Sequence, residues 1–401
     1  MTTTIDNEQK TLNVPNLRFP EFEGEWEICK VGDFGKIITG NTPSTKDIEN
    51  YENGQYLWVS PADLGLLKSI TETKTKLSKK GFDKTRALPA GSVLVTCIGS
   101  TIGKMGMTTR ETSTNQQINA IVVNKSNNNE FVYYAVQSAF PKYLSSIAVQ
   151  AVPIISKSSF ELLPNYRPSI QEQEKIGRLF ALLDERIATQ SKIIEDLKKL
   201  KSTIIDYAIG SLDTNFMKFG SVYETAREGG TPTTSNTSFY NNGKIPFIKI
   251  GDLKQKYLIE NKDFITELGL QKSSAWLVPT HSILFSNGAT IGEITITTYP
   301  VCTKQGILGI VPKANIDVEF LYYFMSSSYF KKAVSRIITE GTMKTAYLRN
   351  IDNILCPIPT KEKQLKIAKV PSALNLKIDS EQSILRLLYA QKRYLLHQMF
   401  R

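Results

Sequence analysis

The sequence is poor in the residues that carry metal, redox or covalent chemistry. It has 401 residues and only four cysteines, which are Cys29, Cys97, Cys302 and Cys356. No two of them form a CxxC pair, which argues against a structural zinc site or a disulfide framework and fits a reducing cytoplasm. The two histidines, His281 and His397, have no neighbouring partner that would make either a general base. We therefore expect a chain without a metal site.

Long apolar runs are also missing. No stretch approaches the roughly 20 residues that a bilayer requires, and the first residues show no basic segment followed by an apolar one, so we expect no signal peptide. These two absences favour a cytoplasmic location. The chain is 41% hydrophobic and 9% aromatic, so it has enough apolar residues to bury a core.

The charge is unbalanced toward basic residues. There are 49 lysines and arginines against 38 aspartates and glutamates, which gives a formal net charge of +11. A basic balance of this size makes nucleic acid the first partner to consider. Many soluble proteins are mildly basic, so charge alone leaves both interpretations open.

The chain repeats itself over a long period. Residues 58–64 recur as 247–253, 99–103 as 288–292, 114–118 as 303–307, and 130–134 as 319–323. Each pair keeps one offset of 189 positions, as in 252 − 63. Solenoid repeats are roughly 20–50 residues long, so this is a different architecture. Short β-rich runs alternate with turns, and residues 131–136 look helical, which predicts an α+β module used twice.

A heptad pattern follows each module. Ser169 and Glu172 have the spacing of a helix capping box, and apolar residues then recur every seven positions. The first seam contains Ile176, Phe180, Leu183, Ile187, Ile194, Leu197 and Ile204. The second contains Ile367, Leu374, Ile378, Leu385, Leu388, Leu395 and Met399. Pro371 replaces Phe180 and indicates that the second helix begins near there or is kinked.

A lone helix cannot bury such a seam, so each helix needs a partner. The polar breaks coincide, because Gln190 matches Glu381 and Lys201 matches Lys392. This favours pairing of the two helices with each other as an antiparallel coiled coil, with the modules related by pseudo-two-fold symmetry. The alternatives are packing of each helix on its own module, or a homodimer.

Three features make the chain resemble the specificity (S) subunit of type I restriction–modification systems. The first is the double order of globular module and long helix. The second is the Gly-x-Thr-Pro opening of each module, at residues 40–44 and, one residue shorter, at 230–233. The third is the Pro-x-x-x-x-Gln-x-x-Ile entry to each helix, beginning at Pro168 and Pro359. Residues 15–22 also resemble the start of that family.

The resemblance implies a DNA-specificity subunit without chemistry of its own. Its segments would be an N-terminal arm that packs late, if at all (1–24), target recognition domain 1 (25–168), coiled-coil helix 1 (169–210), target recognition domain 2 (215–358) and coiled-coil helix 2 (359–401). Each domain would read half of a bipartite double-stranded DNA target. The helices would hold two methylation (M) subunits and, through them, restriction (R) subunits. S-adenosylmethionine, ATP and Mg would be bound by those partners, with no cofactor on this chain.

The residues agree with the non-catalytic reading. The sequence has no Asn/Asp-Pro-Pro-aromatic motif, no Gly-rich methyl-donor loop after a strand and no Walker loop. The two modules differ, since residues 249–251 replace 59–61 with unlike side chains and 341–344 have no clear counterpart. We therefore expect two different half-sites and an asymmetric target. The alternative function is a duplicated coiled-coil adaptor that binds proteins and no DNA.

Candidate DNA contacts are polar and basic residues on module turns. Asn and Gln suit adenine, and Arg and Lys suit guanine, by their donor–acceptor patterns. The base-reading candidates are Asn115, Gln116, Gln117, Lys304 and Gln305. Candidates for phosphates are Thr42, Ser44, Thr231 and Thr233. Candidates for either role are Lys104, Lys157, Lys249, Lys344 and Arg349. For each, a solvated surface position is the alternative.

Overall fold

The computed structural model describes residues 13–65, 67–145, 153–338 and 344–401. The chain divides into two compact units. Unit one is Met1–Ser191 with Ser383–Arg401, and unit two is Lys192–Gln382. Each unit therefore contains one globular module and a part of both long helices. The units cross the five segments proposed from sequence, whose boundaries stay predictions.

Unit one holds a mixed module in which short strands outnumber helices. Its strands are β1 (Glu27–Lys30), β2 (Gly35–Thr39), β3 (Tyr56–Val59), β4 (Ser69–Ile70), β5 (Thr75–Leu77), β6 (Val93–Thr96), β7 (Met105–Thr108), β8 (Ser113–Thr114), β9 (Ile118–Val123) and β10 (Pro164–Arg167). Its helices are α1 (Lys79–Asp83), α2 (Asn129–Ser145) and α3 (Lys157–Glu161), and the long α4 (Ile170–Gly210) begins here.

The strands of module one form three sheets. The largest has the order β2-β9-β6-β7-β4, a smaller one has the order β5-β3-β8, and β1 pairs with β10. Strands β6 and β7 are buried on both faces. A strand covered on both sides needs no alternation of apolar and polar residues. Helix α2 covers the large sheet and buries Phe131 and Tyr134 completely. The helix expected at 131–136 is therefore present.

Unit two repeats this order of elements. Its strands are β11 (Phe216–Lys218), β12 (Tyr223–Glu228), β13 (Ile245–Ile248), β14 (Tyr257–Leu258), β15 (Asp263–Ile265), β16 (Ile283–Ser286), β17 (Ile294–Thr297), β18 (Cys302–Thr303), β19 (Ile307–Pro312) and β20 (Leu355–Pro357). Its helices are α5 (Glu267–Gln271), α6 (Val318–Ser326), α7 (Ser328–Ile337) and α8 (Leu348–Ile351), and the long α9 (Lys361–Met399) begins here. The sheets have the orders β12-β19-β16-β17-β14, β15-β13-β18 and β11-β20.

The strand pairings show that the repeat is three-dimensional, and they correct one of its matches. Thr96 pairs with Ile118 in module one, and Ser286 pairs with Ile307 in module two. The second strand of each pair keeps the offset of 189, but the first is displaced by one more position. Gly99 therefore corresponds to Ala289 and not to Gly288. Both backbones are left-handed there, with φ of 93° and 46°. Module two therefore has one residue inserted before β16 and one residue deleted in the loop after it. The two changes cancel, so the offset of 189 on either side hid both.

Antiparallel pairing of the two helices is confirmed inside each unit. In unit one the ring of Phe180 lies 5.6 Å from that of Phe400, and Lys392 Nζ donates to Asp184 Oδ1 at 2.5 Å. Rising numbers on α4 therefore oppose falling numbers on α9. In unit two Lys201 Nζ donates to Asn375 Oδ1 at 2.7 Å. The matching polar breaks now have a reason, because each seam lysine faces a polar residue at the equivalent position of the opposite helix.

The apolar seam positions of both helices face inward. All fourteen proposed seam residues are buried or half-buried. Near the end of α4, Ile205 and Ile209 are more deeply buried than Ile204. Helix α9 begins at Lys361 and continues through the buried Pro371, so the suggested start near that proline is wrong. The described residues contain no helix long and apolar enough to cross a membrane.

The Pro-x-x-x-x-Gln motif joins each module to its helix. Gln173 Oε1 accepts from Asn128 N at 3.0 Å, and its Nε2 donates to Pro168 O at 3.0 Å. In unit two Gln364 Oε1 accepts from Asp317 N at 2.7 Å, and its Nε2 donates to Pro359 O at 2.9 Å. Both glutamines are 1% exposed. In each unit the buried amide pairs with backbone groups at the starts of two helices, which would otherwise lack a partner. This explains why the motif recurs.

The arm is more firmly attached than the sequence indicated. Arg18 donates to both carboxylate oxygens of Glu172, at 2.8 and 2.7 Å, and Leu17 N donates to Gln398 O at 2.9 Å. Absent packing is therefore wrong for residues 13–24, while late packing stays a prediction, and residues 1–12 lie outside the described part. Ser169 Oγ accepts from Glu172 N at 3.4 Å, as a cap does. The Glu172 carboxylate of that capping box is buried and accepts its hydrogen bonds from Arg18 of the arm.

Candidate nucleic-acid interface

Two turns meet at one edge of module one. The Gly-x-Thr-Pro turn follows β2, and the turn of residues 115–117 joins β8 to β9. Asn41 N donates to Thr114 O at 2.9 Å, and Gly40 N donates to Ile118 O at 3.1 Å. A Cβ on Gly40 would lie 2.2 Å from the carbonyl oxygen of Thr114, so only glycine permits this approach. The motif glycine thus brings two polar turns into contact.

The contact brings together two of the proposed DNA-binding side chains. Thr42 Oγ1 donates to Gln116 Oε1, and both residues are exposed. Gln117 is half-buried, and its Nε2 lies 3.5 Å from where a Cβ of Gly99 would stand. We call the edge formed by residues 40–44 and 115–117 the rim of module one. It presents amide and hydroxyl groups, which are the donors and acceptors that read adenine edges and contact phosphates.

Asn115 differs from its neighbours because it faces inward. It is 8% exposed, its Oδ1 accepts from Gln117 N at 3.0 Å, and its Nδ2 donates to Gln117 Oε1 at 3.1 Å. Both ends of its amide are thus engaged within the turn. The side chain shapes the turn and holds Gln117, and its outward-facing neighbours are better placed for contacts.

Module two builds the same meeting of turns with other side chains. Gln305 N donates to Thr231 Oγ1 at 3.3 Å, and Gly229 N donates to Ile307 O at 2.8 Å. Lys304 and Gln305 are exposed, so this rim carries a cation where module one has the inward-facing Asn115. Gly306 N donates to Glu228 Oε1 at 3.0 Å, which adds a carboxylate. The two rims share a backbone and differ in chemistry.

The remaining candidates differ from one another in their local partners. Lys249 Nζ is 2.8 Å from Asp263 Oδ1, and Lys157 Nζ is 3.5 Å from Glu161 Oε1, so both ammonium groups have local partners. Lys104 is exposed, with its stem against Gly65. Ser44, Thr233, Lys344 and Arg349 are exposed, and the guanidinium of Arg349 lies 5.5 Å from the centre of the Tyr347 ring. All the proposed contact residues remain predictions.

The two cysteine thiols beside these turns are protonated. Burial raises the pKa of Cys97 to about 12, and burial raises that of Cys302 to about 12, so both thiols beside the turns stay protonated. In the part of the chain that the structure describes, no group of three or more His, Cys, Asp or Glu residues could hold a metal ion. The arrangement suits recognition by hydrogen bonds and charge.

The model of the type I restriction modification DNA specificity domain matches this sequence twice, over residues 23–199 and 212–388. Together the matches cover most of the chain. The chain belongs to the type I restriction–modification specificity family. The resemblance seen in the sequence is confirmed.

Named relatives of this family match either most of the chain or a shorter stretch of it. The MjaIX specificity subunit of Methanocaldococcus jannaschii is 24% identical over 363 residues, 84% of this chain and 83% of the relative. The HindI specificity subunit of Haemophilus influenzae is 35% identical over a shorter stretch, 31% of this chain and 27% of the relative. The crystal structure of the type I restriction–modification S subunit from M. genitalium superposes with a TM-score of 0.60 at 17% identity, covering 97% and 99% of the two chains. That likeness supports the fold.

Sequence reasoning missed a difference between the rims of this specificity-family chain. Arg86 is exposed, its NH1 donates to Thr39 O at 2.6 Å, and its backbone N donates to Asn41 Oδ1 at 3.1 Å. Leu88 forms an isolated β-bridge with Thr112, and Val278 forms the equivalent β-bridge with Val301. Arg86 and Trp276 each lie two residues before that bridge, so they correspond to each other. The shared prolines at 89 and 279 would have aligned the two residues, had the offset been allowed to shift by one.

Proposed function

We propose that this chain is the sequence-reading subunit of a type I restriction–modification complex and that it binds a bipartite, asymmetric double-stranded DNA target. Each module reads one half-site with the rim formed by its two meeting turns. The observation that carries this proposal is the duplicated rim, which keeps its backbone contacts while its side chains change from Asn115 and Arg86 to Lys304 and Trp276. Repeated scaffolds with different polar edges suit the reading of two different sequences.

The complex completes the activity. The antiparallel helices hold two methylation subunits and, through them, restriction subunits. The chain itself is non-catalytic and binds no cofactor, while S-adenosylmethionine, ATP and Mg belong to the partners. The net charge of +11 supports attraction to the phosphate backbone. We place this complex in the cytoplasm, where the host DNA lies.

The test is a methylome. A host carrying its methylation subunit is sequenced for modified adenines with and without this chain, and the purified chain is assayed alone with S-adenosylmethionine and DNA. We expect one split, asymmetric motif that is methylated only when both subunits are present. Methyl transfer by the chain alone would contradict the non-catalytic assignment, and unchanged methylation without the chain would favour a protein adaptor.

A further inference from the structure

A charged side-chain network joins module one to the helices of its unit. Lys68, on the loop before β4, donates through Nζ to Glu130 Oε2 at 2.6 Å and to Tyr134 OH at 3.2 Å. Tyr134 OH donates in turn to Asp184 Oδ2 on α4 at 2.6 Å. Asp184 also accepts from Lys392 on α9. One continuous path therefore runs from the sheet edge through α2 to both long helices.

The tyrosine at the centre of the network is buried, and the charged groups around it are half-buried. The Tyr134 ring is fully buried, and the ammonium groups of Lys68 and Lys392 lie 5.4 and 5.2 Å from its centre. Burial and the Asp184 carboxylate hold the pKa of Tyr134 well above its usual range, so the hydroxyl stays a donor. The charged side chains are partly withdrawn from water, at 11% exposed for Lys68, 15% for Lys392, 18% for Asp184 and 31% for Glu130. Such groups are stabilised best when each lies at hydrogen-bonding distance from its partner. Such a set tolerates one orientation of the module on the helices.

Unit two has an equivalent network with a different endpoint. Met107 N donates to Lys68 O and Ile296 N donates to Lys256 O, which makes the two lysines equivalent. Lys256 Nζ lies 3.0 Å from Glu319 Oε2, and its side chain is 3% exposed. Here Lys256 Nζ and Tyr323 OH each donate to Ser372 Oγ on α9, at 3.0 and 3.1 Å. The lysine, glutamate and tyrosine therefore recur in both units.

We propose that these two Lys–Glu–Tyr sets are positioning residues, which fix the angle of each recognition module on its helices and thereby set the number of unread bases between the half-sites. The inference rests on the proposed function. A half-site is read only where the rim reaches its bases, and the rim moves with the module. Loosening the module should widen the range of accepted spacers, while the bases read by each rim stay the same.

Tyr134→Phe tests the proposal in the assembled complex of full-length chain and methylation subunit. It removes one hydroxyl from the path and keeps the ring. Methylation rates are measured on duplexes that carry the target with its native spacer, with spacers one base pair shorter or longer, and with each single-base change in the half-sites. We expect discrimination against the wrong spacers to fall about tenfold, as loss of a charge-assisted hydrogen bond implies. Discrimination against wrong bases should stay within about twofold of wild type.

Tyr133→Phe is the matched control. Its ring is buried next to Tyr134, but no hydrogen bond of its hydroxyl is found within the described ranges, so its spacer profile should equal wild type. Lys68→Met is the second variant. If Tyr134→Phe does not fold, the spacer profile of Lys68→Met provides the test instead. A wild-type spacer profile in the folded variants would overturn the proposal. So would equal loss of base and spacer discrimination, because that marks a general structural role. Failure of the wild-type complex to methylate any defined sequence would instead overturn the proposed function itself.

Discussion

The two recognition modules share a backbone and differ at the edge proposed to touch DNA. Their sheets have the same strand orders, and Gly40 in module one and Gly229 in module two allow the same pairs of turns to meet. Beside those turns, Arg86 in module one corresponds to Trp276 in module two, and Asn115 corresponds to Lys304. Strand pairing and close backbone approach leave few alternatives, whereas the same turns accommodate different side chains, the inward-facing Asn115 in one module and the exposed Lys304 in the other. Divergence therefore concentrates at the rims.

The same contrast appears where the modules join the helices. Gln173 and Gln364 make matching hydrogen bonds to the backbone, because both must satisfy buried groups at the same chain crossing. The polar layer between the helices is less strictly kept, with Asp184 opposite Lys392 in unit one and Asn375 opposite Lys201 in unit two. Groups that bond backbone are repeated in kind, while the partner of the seam lysine changes from an aspartate to an asparagine.

The largest effect should come from exchanging one whole module. Replacing residues 215–358 by the corresponding module of a relative should change one half of the methylated motif and leave the other half intact, since each rim lies within its own module. Specific sites are bound roughly a thousandfold or more tightly than other DNA, so methylation of the original target should fall by about that factor. Methylome sequencing provides the measurement. A change in both halves would show that the modules do not read independently.

Part of this organisation could be predicted from the sequence. The period of seven fixed both long helices, because apolar spacing along a helix determines which face is buried. The P-x-x-x-x-Q motif marked each junction but not its purpose, since the partner that ties Gln173 to its module, Asn128 N, lies 45 residues away in the chain. The Lys68 network was not found for the same reason, as its members come from four separate segments. Only the fold brings them together.

Seam burial provides the next test, in stability. Ile194 on α4 is 6% exposed and its neighbour Ile193 is 40% exposed, so Ile194→Asp should bury an unpaired carboxylate and Ile193→Asp should not. We expect a loss of roughly 3 kcal/mol or more for the first change, and under about 1 kcal/mol for the second. Chemical denaturation of the purified chain gives both values. Equal stability of the two variants would remove Ile194 from the seam.

Gln116 tests whether the rim of module one reads bases. The side chain is exposed beside Thr42, so Gln116→Ala should leave the fold intact. Loss of one good base contact should cost roughly 1–3 kcal/mol and relax discrimination at one position of one half-site. The measurement is the methylation rate of every single-base variant of the target. Gln171→Ala removes an exposed glutamine from the first turn of α4 and serves as the control. An unchanged profile for Gln116→Ala would leave that turn with a structural role.

Lys344 should produce the smallest and least selective effect. It is exposed in module two, two positions before Ala346, whose N donates to Asn287 O at the start of the loop that follows β16. A phosphate contact carries no sequence information, so Lys344→Ala should weaken binding to all sequences alike. The slope of log K against log salt should fall in magnitude by about one unit. Titration of labelled duplexes at several salt concentrations measures it, with Lys366→Ala as the control on α9, where Lys366 pairs with Glu362. A change in base preference with an unaltered salt slope would instead make Lys344 a base-reading residue, and module two would then read its half-site through a loop that module one does not use.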